Sequence, residues 1–143
     1  MSVEETNIAA IRLWLEEGWT KGNVDVADQM IAPGFKVHGA GGQVIASGPD
    51  GAKELVRIWR RAMPDGVMTI DDIFAEGDKV VIRMTWRGTH LGEFYGIPAS
   101  GKQITCTSIG IDRLEDGKVV EGWGELDMLG MMQTMGAIPS PGP

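Results

Sequence analysis

Two tight acidic-glycine turns, Glu76-Gly77-Asp78 and Glu115-Asp116-Gly117, each join a pair of strand-length runs and so fix most of the architecture. They predict long antiparallel strands at 67–76, 79–90, 102–114 and 118–126, with LGEFYGIPASG as a longer link between the middle pair. Ahead of them, Ile8, Ile11, Leu15 and Trp19 follow the three- and four-residue spacing of a buried stripe, which predicts a helix over 4–20. A second helix at 24–31 is stopped by Pro33-Gly34, and a short strand is expected from Phe35 to Gly39. The glycine-rich AGGQVIASGPDG reads as turns with an edge strand, and Asp50 as the cap of a third helix at 51–63. A Met-rich helix at 128–136 closes the chain before a Pro-rich tail, 139–143, expected to be flexible. Helices followed by a strand meander define an α+β plan for a single domain over 1–138. Curled around the leading helices, such a sheet makes a cone with a pocket inside.

Within the last strand, Gly122 and Gly124 are two residues apart and so share one face of the sheet. A strand glycine costs about 0.5–1 kcal/mol relative to alanine. A pair on one face marks a surface left bare for a ligand or for a closely packed neighbour. By the same alternation Ser108, Gly110 and Asp112 share a face of the preceding strand.

Charge and cysteine content narrow the function classes. A net charge of -7 argues against a nucleic-acid surface, and Arg57, Arg60 and Arg61 are the only local cationic cluster, read as a solvated helix face. The single cysteine, Cys106, excludes an internal disulfide and reads as a small buried residue in TCTS. Two histidines with no close Cys, His or carboxylate cluster argue against structural zinc. The acidic start, MSVEETN, has no apolar run, so no signal peptide, membrane span or membrane partner is expected and the default location is the cytoplasm.

GTHLGEFYGIPASGK, IDRLEDGKVVEGW and DMLGMMQTMG, with LEEGWTKGN, MIAPGF and SGPDGAKELV, together resemble the SnoaL-like polyketide cyclase branch of the NTF2-like superfamily over residues 7–138. The resemblance implies an α+β cone with a deep apolar pocket, chemistry without metal or organic cofactor, and a homodimer through the outer sheet face, where Trp123 is expected. The aldol cyclases of that family use an aspartate, a histidine, a glutamine and an asparagine. Those positions fall here on Gly124, Gly110, Ser108 and Val37. Every polar group of that set is missing, so the same aldol closure by the same mechanism is not expected.

If the resemblance sets these faces inward, Gly110, Gly122 and Gly124 enlarge the pocket, with Ser108, Val37 and Leu126 beside them and Trp19, Trp59 and Trp86 as aromatic walls. Alternatively, the tryptophans and methionines fill the room that the glycines leave. Asp127, next to the lost catalytic position, is a candidate acid/base or the cap of the last helix. His38 and Asp112 are the other catalytic candidates. His90 is expected to fix the loop after its strand, and Arg83 to lie opposite the apolar set Val80, Ile82, Met84 and Trp86.

The leading functional expectation is a cofactor-independent enzyme acting on a polyketide-derived or other polycyclic apolar molecule by cyclisation, isomerisation, dehydration or hydroxylation. The alternative is a non-catalytic binder of a hydrophobic small molecule, which the loss of all four polar positions favours. A ketosteroid-isomerase-like proton shuttle would need an inward carboxylate and an oxyanion donor.

Overall fold

The computed structural model describes residues 1–140, so the tail expected at 139–143 lies partly outside the described residues. Helix α1 (Val3–Leu13) is capped by Ser2, whose Oγ accepts the Glu5 amide. The expected single helix over 4–20 then widens into a π-helical stretch, Trp14–Thr20. Gly18 permits this: a Cβ there would stand 2.5 Å from the Trp14 ring, which lies across it. Ile11 and Leu15 are buried as the spacing predicts, and Asn7 joins them as a buried polar residue.

The second predicted helix is a 3-10 turn, Val24–Val26, and one α-helical turn, α2 (Ala27–Met30). Strand β1 (Ile31–His38) starts before Pro33-Gly34 rather than after it. It pairs with β6 at Ile31 and again only from Lys36. Proline, lacking an N–H, is tolerated because the residues between are out of register with the neighbour. β2 (Val44–Ser47) is the expected edge strand. Helix α3 (Gly48–Ala62) begins three residues earlier than predicted, with Pro49 in its first turn, so Asp50 lies inside the helix and is not its cap.

The meander β3 (Val67–Glu76), β4 (Lys79–Thr89), β5 (Gln103–Glu115) and β6 (Lys118–Leu126) matches the predicted strands to within a residue, and α4 (Met128–Met135) ends on left-handed Gly136. Among the described residues six strands form one curved, unclosed sheet in the order β2-β1-β6-β5-β4-β3, in which only β1 and β6 run parallel. The helices cover its concave side. That interior divides into two apolar clusters. Ile11, Phe35, Val80, Ile82, Leu114 and Val119 anchor one, and Trp59, Trp86, Phe94, Cys106 and Met131 the other. Arg60 ties helices to sheet by donating to the carbonyls of Trp19, Pro64 and Gly66 at 2.8–3.0 Å. It is therefore a structural clamp and not part of a solvated face.

Candidate functional site

Register between β5 and β6 pairs Ser108 with Leu126, Gly110 with Gly124, and Asp112 with Gly122. Side chains at these positions project to the concave side, with Val80, Ile82, Met84 and Trp86 of β4. Alternation holds along β6 because the bulge that breaks it lies below Glu121, beside Leu114 and Val119. Val37 of β1 pairs with Gly122 and adds the next column of the same face. The residues standing at the four aldol-cyclase positions, Val37, Ser108, Gly110 and Gly124, are thus brought together.

The three inner glycines differ in what stands before them. At Gly110 the Met84 methyl and the Trp123 carbonyl lie 3.3 Å from an ideal Cβ. At Gly122 the space is taken by Oδ1 of Asp112, 2.6 Å from the same point. Nothing lies within 4 Å at Gly124, so the concave face is open there. Ser108, Gly124, Met84 and Val37 are accordingly half-buried rather than sealed, and Leu126 is at the exposed rim.

Asp112 is the ionisable member of this face. Burial alone pushes its carboxyl up to about 7, with neither a hydrogen bond nor a neighbouring charge contributing. A carboxyl of that kind exchanges protons near neutral pH, the range in which a general acid or base works best.

His38 and Asp127 stand apart from it. His38 follows inward Val37 and therefore projects from the convex face, where it stacks on Trp123 at 5.6 Å. There its Nε2 is 2.9 Å from Glu121, which also meets Arg113 at 3.4 Å. Hydrogen bonding from His38, then from Arg113, holds the Glu121 carboxyl below its usual range. Asp127 caps α4, its Oδ1 accepting the Gly130 amide at 2.9 Å. It also lines a depression of about 410 Å³ with Arg83, Ser108, Ile109, Glu125 and Leu126.

The tryptophans divide as well. Trp19, Trp59 and Trp86 meet edge to face with centroids 5.8–6.2 Å apart. Trp86 is 1 % exposed, donates Nε1–H to Met63 Sδ, and occupies the space that a side chain on Gly66 would need. Trp59 is buried beside it, so both fill the core. Trp19 is half-buried and touches both apolar clusters. His90 holds its loop as expected, its Nδ1 accepting the Ser100 amide at 3.2 Å. The pattern missed Asn7 because nothing in a helical stripe distinguishes an inward asparagine from a surface one.

A curved, unclosed six-strand sheet over N-terminal helices is an NTF2-like architecture. Residues 9–135 match the SnoaL-like polyketide cyclase family, and the chain belongs to that family. No curated protein matches it. A candidate SnoaL-like polyketide cyclase from Jannaschia sp. CCS1 is 26% identical and superposes with a TM-score of 0.87, covering 97% of each chain. One from Acidithiobacillus ferrooxidans is 30% identical with a TM-score of 0.82, over 96% of this chain and 99% of that one. AclR, a candidate hydroxylase from Streptomyces galilaeus, is 25% identical with a TM-score of 0.81, over 94% and 83%. The family and these neighbours are those of small-molecule-processing NTF2-like enzymes. No helix among the described residues is long and apolar enough to cross a membrane.

Proposed function

We propose that this protein processes a polyketide-derived or other polycyclic apolar molecule by proton transfer, with Asp112 as the acid/base. The observation that carries the reading is a carboxyl inside the concave face, titrating at about 7, beside the open floor at Gly124. As carboxylate, Asp112 removes a proton from carbon next to a substrate carbonyl. As acid, it returns that proton to oxygen or carbon once the new bond is made or the double bond has moved. Ring closure, isomerisation and dehydration share this step. Orientation of a flexible chain against Val37, Ser108 and Gly124 supplies the remainder of the rate.

The test is native mass spectrometry against a polyketide library, followed by turnover of whatever binds. Asp112→Asn should lower turnover at least about a hundredfold while binding persists; unchanged turnover overturns the assignment. Gly124→Phe should abolish binding without unfolding the chain. The reading of a non-catalytic binder rests on the four apolar or small residues at the aldol positions. It predicts binding without conversion in both the wild type and Asp112→Asn.

We further propose pairing of two copies through the convex face. One row across five strands, Phe74, Val81, Ile111, Trp123 and His38, is largely apolar. Phe74 is 56% and Trp123 36% exposed. A flanking row, Glu76, Lys79, Arg113, Glu121 and Lys36, carries charges of both signs, which suits a self-complementary contact.

A further inference from the structure

Gly122 is not required by its backbone, since its φ lies outside the left-handed region. It is required by space. A Cβ at this position would meet Asp112 Oδ1 at 2.6 Å and Val37 Cγ2 at 3.5 Å. The Asp112 side chain therefore leans across from β5 and seats its carboxyl in a notch of β6. Its cross-strand neighbours are Val80 on β4 and Gly122 on β6, and Val37 of β1 lies beyond. The titratable groups of the same strand segments, Arg113, Glu121 and His38, project from the opposite face, and no charge on any packed element contributes to its titration. One same-face step along β6, about 7 Å, brings the open floor at Gly124.

A carboxyl in such a seat has Val80 and Val37 beside it, and the open space on the same face lies over Gly124. We propose that Asp112, held in the Gly122 notch, donates a hydrogen bond to a carbonyl or enol oxygen on the edge of a flat ring resting over Gly124. The site then selects planar polycyclic ketones and enols, and Gly122 is a positioning residue. The inference rests on the concave face being the ligand site. Its physical basis is that a neutral carboxyl in an apolar setting is a strong donor, whereas the ionised form repels the same oxygen. Ligands of this class are held below the titration point and released above it. A ring without oxygen gains nothing from Asp112.

The probes are 9-fluorenone, a planar tricyclic ketone that does not titrate, and fluorene, which lacks the oxygen. Both are followed by quenching of tryptophan fluorescence. Fluorenone should bind roughly tenfold or more weakly at about pH 9 than at about pH 5, with fluorene indifferent to pH. In Asp112→Asn, whose amide still donates but does not ionise, fluorenone should bind with no pH dependence. In Gly122→Ala the displaced carboxyl reaches water, and the midpoint should move to lower pH. If Gly122→Ala does not fold, the Asp112→Asn comparison decides alone. Wild-type fluorenone binding that is equal at both pH values, or a dependence that survives Asp112→Asn or is shared by fluorene, overturns the inference. Should pH have no effect while Gly124→Phe still abolishes binding, the concave-face reading stands and only the donor role falls. Binding of both probes that ignores Gly124→Phe overturns the concave site itself.

Discussion

Asp112 is held at about 7 in the folded chain, against about 3.9 for an unfolded aspartate. Between those values the folded state keeps a proton that the unfolded state has lost, so stability falls as pH rises through the window and stays low above it. Asp112→Asn should therefore raise the unfolding free energy by roughly 2–4 kcal/mol at about pH 8 and by little at about pH 4. Urea denaturation at the two pH values measures both arms. A stability gain with lost turnover is the pattern of a functional group, since a structural carboxyl would cost stability on removal. Gly66 is the opposite case. An added methyl would fall 1.9 Å from the Trp86 ring, which is fixed between Met63 and the other two tryptophans. Gly66→Ala should lower stability by about 2–4 kcal/mol, read as a drop in thermal midpoint.

At the scale of elements, the meander was legible because its two acidic-glycine turns fix length and register together. Alternation put Ser108, Gly110 and Asp112 on one face of β5 and Gly122 and Gly124 on one face of β6, and the family resemblance set those faces inward. Cross-strand detail was not legible: nothing in the order of residues places the Asp112 carboxyl over Gly122, because that contact depends on the pairing of two strands. Val37 and His38 were both expected at the pocket, yet they are adjacent on β1 and by alternation only Val37 faces inward. The π-helical stretch was hidden, since the stripe Ile8, Ile11, Leu15 and Trp19 fits an ordinary helix as well. Pro33-Gly34 reads as a helix stop and strand boundary, yet lies inside β1 where the ladder lapses. Gly18→Ala should force the Trp14 ring from its place and cost about 1–3 kcal/mol, with loss of near-ultraviolet circular dichroism as the measurement.

Over the whole molecule, the helices and the concave face account for the interior, and the convex face is left with a band of exposed apolar residues. Phe74, 56% exposed, and Trp123, 36% exposed, lie in that band. If two copies meet there, Trp123→Asp should yield monomers in analytical ultracentrifugation with the far-ultraviolet spectrum unchanged. A dimer that survives the substitution rules out this face.

The sheet is also unevenly sewn. Between Ile31 and Lys36 the ladder joining β1 to β6 is interrupted, and these two strands run parallel whereas the other neighbours among the described residues are antiparallel. That interruption is a fracture line running beside the Val37 wall. Amide protons of Ala32, Gly34 and Phe35 should accordingly exchange with deuterium well before those of β4 and β5, and the β1–β2 flap should loosen along this line before the four-strand meander does.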